Sequence, residues 1–267
     1  MKISIITINY NNRNGLQKTI DSVITQTFKD FEWIIIDGGS TDGSKKLIEE
    51  YSQYITYWVS EPDKGIYNAM NKGIKIAKGE YLLFLNSGDW LLKNNILEKI
   101  SVYLWKTDIV FGYVARVINN IMTNLTGFLT KDNITLSDLY YQTIPHQATF
   151  FRKELFTKFG LYDETLEIVA DRKFYIRTII YGNVSIKFIP IPISYFEEGG
   201  ISSTSPKYLD EKAKVLQELI PPRIYHDMIQ AISKKEVCKR PFFRFLYSCL
   251  YRCVIYYERI KNLCKQK

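Results

Sequence analysis

Four short segments concentrate the polar chemistry of this 267-residue chain: NYNNRNG from Asn9, DGGSTDGS from Asp37, SEPDKG from Ser60 and NSGD from Asn86. Asp37 ends a hydrophobic run, where a carboxylate can accept two hydrogen bonds from a planar ring such as a uracil imide or a guanine edge. It can equally close an Asx turn or cap a helix, a task open to Ser40 and Asp42 as well. Tyr10 is placed to stack on a base or to pack. Glu61, Asp63 and Lys64 set opposite charges beside a proline and a glycine, suited to fixing a ribose or phosphate, or forming an exposed ion pair worth little. Asn86 and Asp89 flank Ser87 and Gly88. A hard divalent cation bridging a diphosphate needs only one or two protein carboxylates, because phosphate oxygens and water complete its shell. Asp89 is therefore a candidate ligand, although a lone Asp after Gly is also an ordinary turn residue.

The elements that must position these loops are legible from periodicity. Strands are predicted at 3–8, 31–37, 55–59 and 81–85, with helices between them at 15–27, 44–51 and 65–77. Strand and helix in alternation mean a parallel sheet with helices on both faces, and runs such as IIII and LLFL suit strands buried on both sides. The fold class is α/β. All four polar loops follow strand ends, the place where such sheets bind ligands. Neither GxGxxG nor GxxxxGK[ST] occurs, which disfavours a dehydrogenase or a P-loop ATPase. Further on, helices are expected at 95–105, 153–159, 170–181, 208–219 and 224–232, and a strand at 109–114. An extended stretch at 184–195 is demoted by Pro190 and Pro192 to an edge or irregular strand.

Charge is distributed unevenly. The chain carries 36 Lys and Arg against 28 Asp and Glu, a formal net charge of +8, yet residues 234–267 alone hold ten basic and two acidic side chains. The first 233 residues are electrically balanced, which argues against a nucleic-acid docking face. The four cysteines, Cys238, Cys249, Cys253 and Cys264, also lie in the tail and contain no CxxC, so packed thiols are expected there and not zinc. Phe242, Phe245, Leu246, Cys249, Leu250, Cys253, Tyr257 and Ile260 make one apolar stripe opposite Arg244, Arg252 and Arg259. This pattern fits an interfacial membrane helix, or a helix packed on the domain or on a second subunit as in a homodimer. The six apolar or small residues near the N-terminus are too few for a signal-peptide core, and no stretch is long enough to span a bilayer. The expected location is cytoplasmic.

Taken together, TINYNN, FEWIIIDGGSTDGS, SEPDKGIYNAMNKGIKIAKGEYLLFLNSGD, HQATFF and FGLYDETLEIVADRKFYIR resemble the family 2 glycosyltransferases over roughly residues 2–205. The resemblance implies a GT-A fold, Rossmann-like with a mostly parallel sheet, at 1–205, with C-terminal helices after it. Its nucleotide part is about 1–92 and its acceptor part about 93–205, followed by a helical extension at 206–233 and the basic tail at 234–267. It implies an inverting transfer from a nucleotide-diphosphate sugar, UDP favoured, to a hydroxyl of a saccharide or polyprenyl-linked acceptor in cell-surface polysaccharide synthesis. The tail would hold the enzyme on the inner face of the cytoplasmic membrane.

Residue by residue, the resemblance places Thr7, Asn9, Tyr10, Asp37, Asp63, Lys64, Asn71, Asn86 and Ser87 at the nucleotide sugar. Asp89 falls on the metal position, for Mn2+ or Mg2+, and Asp171 on the catalytic carboxylate. His146 and Gln147 fall on the acceptor side. Glu198, in the run Glu197-Glu198-Gly199-Gly200, is placed there too, in a loop able to close over the donor, although glycine pairs also mark plain turns. The sequence departs from the family at two points. Met70 stands where an Arg is usual, leaving Lys64 or Lys72 to face phosphate, and Asn86-Ser87-Gly88-Asp89 replaces the DADD metal motif, with Asn86 able to offer an amide oxygen. His226 has no motif around it. A nucleotidyltransferase with a related sheet is the alternative enzyme, but NYNNRNG is a poor match to the Gly-rich loop it would need. A non-enzymatic basic binder of membrane or nucleic acid is the alternative from another class.

Overall fold

The computed structural model describes residues 2–118, 121–126, 129–197 and 205–239. Its first part is built as the periodicity requires. β1 (Ile3–Asn9), α1 (Arg13–Ile24), β2 (Phe31–Asp37), α2 (Ser44–Glu50), β3 (Tyr57–Ser60), α3 (Ile66–Ile76) and β4 (Tyr81–Phe84) alternate strand with crossover helix. Strands β3, β2, β1 and β4 lie side by side in that order, all parallel, with Asn9 opposite Asp37 at their carboxyl ends. Ile5 packs with Leu16 and Ile20 of α1, whereas Ile6, pointing the other way, meets Gly73 of α3. Helices therefore cover both faces, and β1 is buried along its whole length.

The second part closes the sheet. β5 (Asp89–Leu91), α4 (Ile96–Ser101), β6 (Ile109–Ile118), β7 (Ile121–Thr126), α5 (Leu136–Tyr141), β8 (Thr149–Arg152), α6 (Glu154–Phe159), α7 (Ala170–Tyr175) and β9 (Ile186–Glu197) follow in order. β8 inserts antiparallel between β4 and β6, and β9 runs parallel to β6 and antiparallel to β5. Among the described residues nine strands form one sheet, ordered β3-β2-β1-β4-β8-β6-β9-β5, with β7 paired to β6. An aromatic cluster of Phe84, Phe151, Phe156, Tyr162 and Phe174 ties α6 and α7 to the sheet, Phe156 stacking on Phe174 with ring centres 4.3 Å apart. α8 (Tyr208–Leu219) and α9 (Pro222–Lys239) complete the described chain. The first compact unit extends to Val215, so the opening turns of α8 belong with the sheet, and a second unit begins at Leu216.

Several expectations are corrected. The stretch with Pro190 and Pro192 is an irregular strand, one of the two expected outcomes, and not an edge: β9 lies between β6 and β5. Its register against β6 shifts around Tyr113, which pairs with Pro192, and its pairing with β5 begins only at Ser194, past both prolines. Helix 95–105 is reduced to Ile96–Ser101, and the chain beyond turns through Lys106 at φ 62°. Helix 170–181 is α only to Tyr175 and continues as a π-helix over Ile176–Tyr181. The third strand starts at Tyr57 because a 3-10 turn occupies Ser52–Tyr54. The basic amphipathic stripe of 242–260 lies outside the described residues.

Close approach of α3 to β1 depends on one glycine. A Cβ on Gly73 would stand 2.5 Å from Cγ2 of the buried Ile6. Gly73→Ala should therefore destabilise the fold, overpacking costing about 1–3 kcal/mol against roughly 1 kcal/mol of improved helix propensity. Chemical denaturation with an unchanged m-value would read this directly.

Candidate active site

The carboxyl ends of β1, β2 and β4 converge, and Asp37 is the hub of that corner. Fully buried, it accepts the Asn9 amide at 2.7 Å, the Ser40 N–H at 2.9 Å and hydroxyl, and the Ser60 hydroxyl, the last two at 2.6 Å. Burial would raise its carboxyl, but the hydroxyls of Ser40 and Ser60 and the Asn9 amide outweigh that and hold it below the ordinary value. Four donors fill the acceptor positions of a carboxylate. Asp37 thus binds the loops after β1, β2 and β3 to one another.

Beside it Tyr10 is 67% exposed. A Cβ on Gly38 would meet Asp63 Oδ2 at 2.5 Å and the Tyr10 ring at 3.2 Å, so Asp63 and Tyr10 flank a bare stretch of backbone. The Asp63 carboxylate also takes the Gly65 N–H at 2.8 Å. Lys64 gives its backbone N–H to Asn68, and Lys72 is paired with Glu61 at 2.7 Å.

Two residues expected at the nucleotide are engaged elsewhere. Thr7 is buried, its hydroxyl accepting the Trp33 indole N–H at 3.0 Å. Asn71 is buried on the inner side of α3, donating to the Tyr162 carbonyl and to Glu164 and accepting the Tyr162 N–H. It clamps the loop after α6. Met70 is buried in the core, which is where an apolar side chain at that position belongs.

The NSGD turn is held by α1. Asn12 donates to the Ser87 carbonyl at 3.0 Å, and the Thr19 hydroxyl accepts the Gly88 N–H and donates to the Asp89 carbonyl at 2.7 Å. Gly88 needs its φ of 98° for this turn. Asp89 is 6% exposed, and burial pushes its carboxyl well up, opposed only by the Asn86 N–H. The Asn86 amide nitrogen is 3.2 Å from His146 Nε2. Burial lowers His146, with the Asp171 charge opposing.

Asp171 stands in the first turn of α7, its Oδ1 accepting the Arg172 N–H at 2.7 Å and lying 3.5 Å from the Tyr67 hydroxyl. Burial raises its carboxyl against the charges of His146 and Arg172. Tyr67, Tyr162 and Tyr175 are all pushed well up by burial, each raised further by the Asp171 charge. The structure thus groups Asn86, Asp89, His146 and Asp171, and separately Asn9, Tyr10, Asp37 and Asp63. Gln147 is buried after His146, and Glu198 lies outside the described residues. An open groove of about 500 Å³ beside α1, lined by Lys18, Asp21, Trp90 and Lys93, contains none of these groups.

The sequence profile of Glycosyl transferase family 2 matches residues 4–157, more than half of the chain. The chain belongs to this family. A glycosyltransferase of Mycobacterium tuberculosis described as uncharacterized is 33% identical over 213 residues, covering 75% of this chain and 77% of its own. The PGL/p-HBAD biosynthesis glycosyltransferase of Mycobacterium bovis is 31% identical over 208 residues, covering 75% and 79%. Staphylococcus aureus TarS 1-349 in complex with UDP-GlcNAc superposes with a TM-score of 0.69 at 18% identity, over 91% of this chain and 75% of that one. The mannosyltransferase PcManGT of Pyrobaculum calidifontis, in complex with GDP-Man and Mn2+, gives 0.62 at 13%, over 95% and 75%. The fold of this glycosyltransferase is GT-A.

GT-A enzymes commonly use a divalent metal, and the glycosyltransferase has groups that suit one. Asn86 Oδ1 is buried without a hydrogen-bond partner, two residues of turn away from the buried Asp89 carboxylate. One carboxylate and one orphaned amide oxygen match a hard cation that takes its remaining ligands from phosphate and water. Among the described residues no cluster of three or more His, Cys, Asp or Glu offers a self-sufficient cage. No described helix is long and apolar enough to cross a membrane.

Tyr67 and Thr19 were not singled out from sequence. Both sit at core-facing helical spacing, where a tyrosine or threonine reads as packing.

Proposed function

We propose that this glycosyltransferase moves a sugar from a nucleoside-diphosphate donor, UDP favoured, to a hydroxyl of a saccharide or lipid-linked acceptor, with inversion, in cell-surface polysaccharide or glycolipid synthesis. The observation that carries the reading is the partly buried Asp171 carboxylate, whose charge is favoured by His146, which itself touches the turn bearing Asp89. That arrangement supports a base facing the acceptor and a diphosphate seat next to it. TarS, solved with UDP-GlcNAc, and the mycobacterial relative named for PGL/p-HBAD biosynthesis are consistent with this donor and acceptor class.

In the proposed reaction Asp171 takes the proton of the acceptor hydroxyl as its oxygen bonds to the anomeric carbon, while the bond from that carbon to the diphosphate breaks on the opposite face. The sugar is inverted and the nucleoside diphosphate leaves. Tyr10 would stack on the base, with Asp63 beside it. His146 orients the Asn86 amide. A divalent cation held by Asp89 and Asn86 would neutralise charge on the departing diphosphate. The basic tail would bring the enzyme to the membrane carrying a lipid-linked acceptor.

A panel of nucleotide sugars tested by thermal shift, with and without Mn2+, checks the donor class. A UDP-sugar at about 100 times its dissociation constant should raise the melting temperature by about 5–10 °C. A flat response across the panel overturns the reading.

A further inference from the structure

The carboxylate of Glu211, on α8, has a set of partners that the proposed chemistry leaves unexplained. Its Oε1 accepts the N–H of Glu167 at 2.8 Å, and its Oε2 accepts those of Ile168 at 2.9 Å and Val169 at 3.3 Å. These are the three amides directly ahead of α7, and Val169, the residue just before the helix, gives it no side-chain cap. Of the three, only that of Val169 is among the amides a helix start leaves without an internal acceptor; those of Glu167 and Ile168 precede it. Here an anion from forty-odd positions away accepts all three, with charge-assisted hydrogen bonds stronger than neutral ones.

The same segment is held from its other side. The Ile168 carbonyl accepts the Tyr67 hydroxyl at 2.6 Å, and that hydroxyl stands 3.5 Å from Asp171 Oδ1. Two more residues of the α8 start reach α7 and its approach: Lys207 pairs with Glu167 at 2.6 Å, and Tyr208 accepts from Arg172 Nη2 at 2.7 Å. The Lys207 pair is exposed and contributes little. Glu211 is the one that grips backbone, fixing the peptide units two to four residues before Asp171.

We infer that Glu211 is a positioning residue for the transfer reaction, setting where the Asp171 carboxylate points. The inference rests on Asp171 being the base. Glu211 acts through the backbone of 167–169. Loss of that grip displaces a group that must meet the acceptor proton within hydrogen-bond distance, and a misplacement of about 1 Å costs up to about 100-fold in rate.

The test uses the full chain in four forms: wild type, Glu211→Gln, Asp171→Asn and the double variant. The Gln amide keeps one acceptor and turns an NH2 group against N–H groups. Its kcat should fall about 10- to 100-fold, with donor KM within about twofold of wild type. The double variant should be no slower than Asp171→Asn alone, because residues acting as one unit are not additive. Glu211→Asp, which keeps the charge but falls short of the amides, should recover part of kcat, and it serves if the Gln variant does not fold. Multiplying losses in the double variant, or kcat of Glu211→Gln within twofold of wild type, would overturn the inference. Wild-type turnover by Asp171→Asn is a separate result that removes the base itself, and with it the reason for the clamp.

Discussion

Asp171→Asn should bind the sugar nucleotide as wild type does and turn over about 100- to 10,000-fold more slowly, the range that general-base assistance supplies. The substitution is nearly isosteric, and its amide oxygen can still accept the Arg172 N–H, so α7 keeps its first turn. What disappears is the site for the acceptor proton. The pH profile gives a second reading of the same residue. Burial raises the Asp171 carboxyl, with His146 and Arg172 opposing and the Tyr67 hydroxyl nearby. A raised carboxyl is protonated, and so useless as a base, at pH values where an ordinary Asp is already ionised. Transfer should therefore climb with pH through a limb lying above the usual carboxylate range, and the limb should vanish in the Asn variant. Steady-state kinetics together with titration of the nucleotide separate turnover from binding. Wild-type kcat in the variant would refute the role.

Asp89→Ala should abolish most transfer, by about 1,000-fold if several kcal/mol of charge stabilisation at the diphosphate is lost, and EDTA should do the same to the wild-type enzyme. Mn2+ should restore the chelated wild type and leave the variant inactive. The reasoning starts from burial. A carboxylate at 6% exposure, with only the Asn86 N–H to favour its charge, is costly to ionise without a cation. The turn itself should survive, since it is closed by the Asp89 N–H to the Asn86 carbonyl and pinned by Thr19. Full turnover by the alanine variant with no added metal would sink the assignment.

The parallel half of the fold was readable because each of its strands is a short apolar run and each crossover a helix with one apolar face. The closing half was less so, for specific reasons. Pro190 and Pro192 signal an edge or an irregular strand, and β9 is irregular but interior, because the register shifts against β6 accommodate both rings and β5 pairs only beyond them. Asp37 offers two readings from position alone, and the structure gives its carboxylate four local donors. Asn71 and Thr7 have residue types that suit a ligand, but their partners, Glu164 and Tyr162 for the one and Trp33 for the other, lie too far along the chain for spacing to reveal. Glu211 carries no local signal at all: on an amphipathic helix it reads as a solvated charge.

Helix α3 serves two masters. Its Gly73 lies against β1, while Tyr67 and Asn71 reach into the loop of residues 162–168. Any exchange of segments between relatives that breaks after the NSGD turn would separate those partners. The natural cassette for recombination is instead discontinuous: α3 together with the 160–168 loop that it grips. Segments grafted onto this scaffold keep these hydrogen bonds only when they travel as that pair.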